Sequence, residues 1–152
     1  MNTYGLSYMK LFYMAFADTT RLRIVNLIRN GEVYVGCFTE VLGVSQPKIS
    51  RHLAYLRGAG IVKARREGKR MHYSIAELEQ DGGKRVLNEI LSWLDDQDES
   101  RMDIDKYRQL YGTPEILKPK STTATSPKPE IFADPIDKYR HSAHNELDEF
   151  LL

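Results

Sequence analysis

The stretch TEVLGVSQPKISRHLAYLRGAGIVKARREGKRMHYSI, residues 39–75, carries the pattern that decides the fold. A short helix stops at Gly43, and a second helix starts at Ser45 with Pro47 inside its first turn, where a missing N–H costs least. The apolar residues of this second helix recur at helical spacing on one face: Ile49, Leu53 and Leu56. Two helices joined by so tight a corner predict a helix-turn-helix.

The end of the same stretch contains two β-prone runs that meet at Glu67-Gly68, which predicts a hairpin over residues 61–75. Four residues should form its inner face: Val62, Met71, Tyr73 and Ile75. Five basic residues and one acid fall within positions 63–70. We expect the basic residues to stay outside: Lys63, Arg65, Arg66, Lys69 and Arg70. The hairpin is therefore expected to present a positively charged tip.

Helical spacing extends on both sides of this stretch. Residues 6–16 are dense in Met, Leu, Phe and Tyr, and residues 19–30 form a helical pattern with Asp18 as N-cap. Residues 84–97 carry another apolar stripe, with Trp93 beside it. The pattern predicts a mainly α protein with one small β-hairpin (α+β), and 41% apolar residues suffice for one core.

Polar and basic side chains occupy the early turns of the helix that begins at Ser45, away from its apolar face: Ser45, Gln46, Lys48, Ser50, Arg51 and His52. A major groove admits one α-helix, whose N-terminal residues reach the base edges. The basic hairpin would then contact the neighbouring backbone, which adds affinity without sequence information. The alternative is an ordinary solvated helix face beside a hairpin that happens to be basic. The two elements together favour binding to double-stranded DNA.

The charge distribution supports this interpretation. The net charge is only +1, yet residues 1–75 carry 12 Lys and Arg against 4 Asp and Glu, whereas residues 76–152 carry 10 against 17. The excess of positive over negative charge is thus confined to the part with groove-entering geometry.

The segments ADTTRLRIVNLI and 39–75 resemble the ArsR/SmtB family of repressors, over roughly residues 10–95. The resemblance implies a winged helix-turn-helix in which the helix from Ser45 reads the major groove and the 61–75 hairpin is the wing. It also implies a homodimer formed through the N-terminal helix, 6–16, and the last core helix, 84–97.

The sensing sites that the resemblance implies do not match. Arsenic-sensing members have thiolates where this chain has Tyr34 and Gly36, while Cys37 falls at the position of an acid. One thiolate cannot chelate a soft ion as two or three do. Zinc-sensing members use His and carboxylates on the last core helix, which here has no His. We therefore predict no metal site and no cofactor, with Cys37 and the pair His141 and His144 as weak candidates.

Composition changes after residue 98. We expect a winged helix-turn-helix and dimerisation domain at 1–98, a partly helical and then Pro-rich flexible linker at 99–135, and a short amphipathic segment at 136–152. No apolar run approaches the ~20 residues of a membrane helix, and the first residues lack a secretory signal, which indicates a cytoplasmic protein. Cys37 is the single cysteine, so an intrachain disulfide is excluded.

The function predicted from these observations is a homodimeric transcriptional repressor that binds an inverted-repeat operator and is released by an effector. No phosphate-cradling loop, carboxylate pair or Cys/His set indicates an enzyme. One alternative is a winged helix used as a protein-interaction module. Another is a metal(loid)- or redox-responsive repressor that uses Cys37 or the C-terminal histidine pair. The effector, whether a small molecule, a metal(loid) or an oxidant, stays open.

Overall fold

The computed structural model describes residues 5–112, which are mostly helical with one small antiparallel sheet. The elements follow in the order α1 (Leu6–Ala15), α2 (Thr19–Ile28), β1 (Val33–Tyr34), α3 (Val35–Leu42), α4 (Gln46–Gly58), β2 (Val62–Glu67), β3 (Arg70–Ile75), α5 (Asp81–Asp95) and α6 (Asp98–Tyr111). The predicted helix-turn-helix is α3 and α4, and the predicted wing is β2 and β3. The fold class expected from the sequence is therefore confirmed.

Local signals place the helix ends where the pattern predicts them. The Asp18 side chain accepts the backbone N–H of Arg21 at 2.9 Å, so it caps α2 as predicted. Helix α3 ends at Gly43, whose φ of +66° is a left-handed conformation that glycine adopts without steric cost. This glycine makes the corner between α3 and α4 possible.

The core lies where α2, α3 and α4 meet the sheet. The predicted inner face of α4 is buried throughout, at Ile49, Leu53 and Leu56. It packs in one cluster with Phe38 of α3 and Ile24 of α2. Burying an aliphatic or aromatic side chain of this size contributes about 1.5 to 3 kcal/mol. The apolar side of α4 is thus fixed, and its opposite side must face solvent.

The sheet has the order β1-β3-β2, with both pairs antiparallel. Glu67 pairs with Arg70 across a two-residue loop, in which Gly68 has a φ of +59°. The short β-prone run of β1 was recognised in the sequence, but its pairing with β3 was not predicted. That pairing places Tyr34, His72 and Arg65 in one row, on the sheet face that points away from the core side chain Val33.

Helix α6 begins at residue 98, where we placed the end of the domain, and it packs against α2 and α3. The Arg23 guanidinium of α2 forms two hydrogen bonds, of 2.7 and 2.8 Å, with the Asp103 carboxylate, whose side chain is only 5% exposed. Tyr107 is buried, and the Lys106 ammonium donates to the carbonyl of Val41 at 3.0 Å. The compact unit therefore includes α6.

The Pro-rich part of the predicted linker, the segment 136–152 and the pair His141 and His144 lie outside the described residues. Within residues 5–112, no helix has the length and the hydropathy that a membrane span requires.

Candidate nucleic-acid interface

The solvent side of α4 carries the predicted DNA-reading residues. Five of the six are exposed: Ser45, Gln46, Lys48, Ser50 and Arg51. Ser45 occupies the N-cap position, and its hydroxyl makes no capping hydrogen bond. Lys48 and Arg51 form no ion pair with any residue in 5–112. Amide, hydroxyl and cationic groups thus project from the first turns of α4, and no side-chain partner among residues 5–112 would have to be displaced.

His52, the sixth predicted residue, lies on another side of α4. Its side chain is 21% exposed, and its Nδ1 lies 3.6 Å from Oδ1 of Asp18, the N-cap of α2. Burial lowers the pKa of His52, while the nearby Asp18 carboxylate opposes that effect. The structure therefore brings His52 to the junction of α2 and α4 and not to the exposed row with Gln46 and Arg51.

The wing residues also fall into two groups. Arg65 is held by Glu32, which precedes β1: its Nε and Nη2 donate to the Glu32 carboxylate at 3.0 and 2.8 Å. Nη2 also donates to Glu67 at 3.3 Å. These hydrogen bonds from Arg65 hold the pKa of Glu32 below its usual value. The charge of Arg65 is thus largely compensated within the chain.

The other basic residues of the wing are exposed, and none of them forms an ion pair with an acid in residues 5–112. The Arg66 Nε donates to the carbonyl of Gly68 at 3.0 Å, which keeps this side chain at the hairpin tip. The Arg70 guanidinium lies 5.3 Å from the ring centroid of Tyr34, within cation–π range. Within residues 5–112, Lys63 and Lys69 form no ion pair. Four cations of the wing, Lys63, Arg66, Lys69 and Arg70, are therefore exposed.

Two residues of this surface were missed in the sequence. Glu32 precedes β1 and contacts Arg65, and Tyr34 lies in β1 and contacts Arg70. Both contacts form because β1 pairs with β3 of the wing. The β-prone run at 33–35 signalled a strand, but a two-residue strand does not indicate its partner in the sequence. The acid opposite the basic hairpin could not be located without that pairing.

Cys37 is buried in α3, beneath the end of α6. The Tyr111 side chain lies close to the thiol, and its hydroxyl donates to Glu40. Burial raises the pKa of the thiol, so the thiolate is disfavoured. No group of three or more His, Cys, Asp and Glu in residues 5–112 has an arrangement that could hold a metal ion. Cys37 is therefore better described as a small buried core residue than as a reactive thiolate.

Large apolar side chains are also exposed on three other helices, α1, α5 and α6. Leu6 is 82% exposed, and Met9 and Tyr13 on the same helix are also exposed. On α5, Trp93 is 73% exposed although its neighbour Leu94 is buried. On α6, Met102 is 70% exposed and Leu110 is 50% exposed. Large exposed apolar side chains are typical of protein–protein contacts.

Part of the sequence is similar to known proteins. The family model of "Bacterial regulatory protein, arsR family" matches residues 18–64. The chain is 40% identical over 78 residues to the arsenical resistance operon repressor of Escherichia coli. This match covers 51% of this chain and 67% of the repressor. It is 42% identical over 66 residues to a probable mercury resistance operon repressor of Streptomyces lividans. That match covers 43% of this chain, and the chain spans only 53% of that relative.

The fold has solved counterparts. The homodimeric winged helix-turn-helix DNA-binding domain of Mb0332 from Mycobacterium bovis superimposes with a TM-score of 0.51 at 29% identity. The match covers 61% of this chain and 83% of that domain. These relatives are regulators and not enzymes. The helix-turn-helix, the wing and the extent of the sequence identity together show that the chain belongs to the arsR family of bacterial regulatory proteins.

Proposed function

We propose that the chain is a sequence-specific, homodimeric transcriptional repressor that binds an inverted-repeat operator in double-stranded DNA. The observation that carries this proposal is the exposed polar and basic side of α4, which stands on a completely buried apolar side. Helix α4 presents an amide at Gln46 and cations at Lys48 and Arg51. These groups form two-pronged contacts with adenine and guanine, respectively.

The wing supplies the contacts that do not depend on sequence. Lys63, Arg66, Lys69 and Arg70 are exposed, and cations at such positions neutralise phosphates and release counterions. Arg65 contributes less, because Glu32 already binds its guanidinium. This division separates a reading helix from an anchoring hairpin.

The exposed apolar side chains of α1 and α5 support the homodimer. Exposed Leu6, Tyr13 and Trp93 would be covered by a second copy, and a dimer of Mb0332 uses the same fold. Two copies related by a two-fold axis read half-sites one helical turn, about 10 bp, apart, or multiples of that distance. The repressor would be released from its operator by an effector. Relatives named for arsenic and mercury resistance make a metal(loid) one candidate.

The test is selection of bound fragments from random duplex DNA, followed by titration of the selected operator at several salt concentrations. We expect an inverted repeat and an affinity that falls by roughly 10³ to 10⁵ between 50 and 200 mM salt for about 6 to 10 phosphate contacts. Arg51→Ala should cost about 1 to 3 kcal/mol and relax the preference at one base pair. Lys69→Ala should weaken all sequences alike and reduce the salt slope by about 1.

Arg108→Ala is the matched control, because Arg108 is an exposed arginine on α6 whose ion pair with Asp105 is a surface contact at 3.7 Å. It should leave the affinity unchanged. Selection that yields no common motif, together with a flat salt dependence, would overturn the proposal. That outcome would favour the winged helix as a protein-interaction module.

A further inference from the structure

Arg21 joins three helices through one side chain. It lies in the first turn of α2, and its Nε donates to the carbonyl of Ala15 at 2.8 Å while its Nη2 donates to that of Met14 at 3.0 Å. Both carbonyls belong to the C-terminal end of α1, where a cation is favoured by the helix dipole. The start of α2 is thereby tied to the end of α1.

The same guanidinium reaches α4. Its carbon lies 4.2 Å from the ring centroid of Tyr55, so the planar cation covers the face of this half-buried ring. A guanidinium that donates two hydrogen bonds in its plane can stack on an aromatic ring at the same time, whereas an ammonium cannot. Arg21 therefore contacts the end of α1 and the side of α4 in one geometry.

A second contact holds α4 on the same side. Asp18, the N-cap of α2, accepts the N–H of Arg21 and lies 3.6 Å from His52. His52 and Tyr55 are three residues apart, so they share one side of α4. The N-terminal end of α2 thus contacts α4 at two neighbouring residues, His52 and Tyr55. Neither residue lies on the DNA-reading side of α4.

We propose that Arg21 is a positioning residue that sets the orientation of α4 relative to α1, and thereby the separation of operator half-sites that the dimer accepts. The inference rests on the proposed function, in which α1 contributes to the dimer and α4 reads DNA. Because α1 lies at the two-fold axis of the proposed dimer and α4 reads the DNA, a rotation of α4 relative to α1 changes the distance between the α4 helices of the two copies. Arg21 does not contact DNA, since its guanidinium is occupied by α1 and α4.

The experiment measures binding to a series of duplexes that carry the selected half-sites at separations increased or decreased by single base pairs. A non-specific duplex is measured in parallel. Arg21→Lys retains the charge but loses the paired donation and the stacking. We expect the wild-type preference for one separation to flatten by roughly fivefold in this variant, within the range of coupled contacts. The affinity for non-specific DNA and its salt slope should not change.

Tyr55→Leu and Tyr55→Phe separate positioning from general stability. Phenylalanine keeps the ring face, so Tyr55→Phe should retain the sharp preference, whereas Tyr55→Leu should lose it. Arg101→Lys is the matched control, because Arg101 donates to the helix-end carbonyl of Asp95 at 2.8 Å, as Arg21 does at α1, but lies on α6. Circular dichroism and sedimentation verify that each variant is folded and dimeric.

The outcomes distinguish the inference from the proposed function. If wild type shows no sequence-specific binding, the proposed function fails. If wild type discriminates between separations and Arg21→Lys does so equally well, the function stands and the inference is overturned. Should Arg21→Lys not fold, the Tyr55 pair decides: flattening in Tyr55→Leu alone supports the inference, and equal discrimination by Tyr55→Leu and Tyr55→Phe overturns it.

Discussion

Asp103→Asn tests whether α6 is an integral part of the core. The Asp103 carboxylate is 5% exposed and receives two hydrogen bonds from Arg23, which is itself 21% exposed. Removing one partner of a buried ion pair typically costs about 3 to 5 kcal/mol, because the other charge is left buried and uncompensated. Here Arg23 retains Glu99 at 3.3 Å, and the amide still accepts one N–H. We therefore expect a loss of about 2 to 3 kcal/mol in the free energy of unfolding.

The loss should be visible in thermal and urea unfolding followed by far-UV circular dichroism. For a chain of 152 residues, about 3 °C of Tm is lost per kcal/mol, so Tm should fall by about 6 to 9 °C. Asp105→Asn is the matched control: the same change on the same helix removes only an exposed pair with Arg108, and it should cost less than about 0.5 kcal/mol. If both variants unfold like wild type, α6 is not anchored on α2 through Asp103.

Three further perturbations follow from the contacts around the interface. Glu32→Gln weakens the hold on Arg65, so affinity for DNA at low salt should rise and the salt slope should steepen by up to about 1 in a fluorescence-anisotropy titration; a weaker complex would mean that the pair serves to orient the wing. Burial lowers the pKa of His52, so the folded state binds fewer protons than the unfolded state and stability should decline as pH falls below about 6.5. Urea unfolding between pH 5 and 8 should show a shallower decline in His52→Gln than in wild type, and identical slopes would refute the assignment. Cys37 should react with iodoacetamide at least about tenfold more slowly in the native protein than in urea, and Tyr111→Ala should speed the native reaction; equal native and denatured rates would show that the thiol is open.

The arrangement of the helix-turn-helix and the wing was readable from the sequence because each end carries a local signal. Asp18 caps α2, Gly43 ends α3 in a left-handed conformation, and Gly68 lies in the two-residue loop of the wing. The spacing of Ile49 and Leu53 identified the buried side of α4, and the exposed side followed as its complement. These features depend on neighbours within a few residues, which is the distance over which sequence patterns are informative.

The contacts that could not be predicted join residues far apart in the chain. Arg23 and Asp103 are 80 positions apart. The polar sequence of α6 suggests a solvent-exposed helix, since nothing near Asp103 in the sequence indicates that Arg23 of α2 stabilises this acid in a buried position. Similarly, Arg65 is one of five basic wing residues that look equivalent until β1 brings Glu32 beside it. His52 has the spacing of a groove-facing residue, and only the packing of α2 on α4 shows that it points toward Asp18.

The strand order β1-β3-β2 leaves β2 at the edge of the sheet, with one row of backbone N–H and C=O groups unpaired by another strand in residues 5–112. Such an edge is a template on which strands of other molecules can add, and charged side chains oppose that addition. Four of the six residues in β2 are charged. The charges proposed to hold DNA therefore also keep the protein from aggregating edge to edge while no DNA is bound. Replacing them with apolar residues would endanger solubility before any change in operator affinity could be measured.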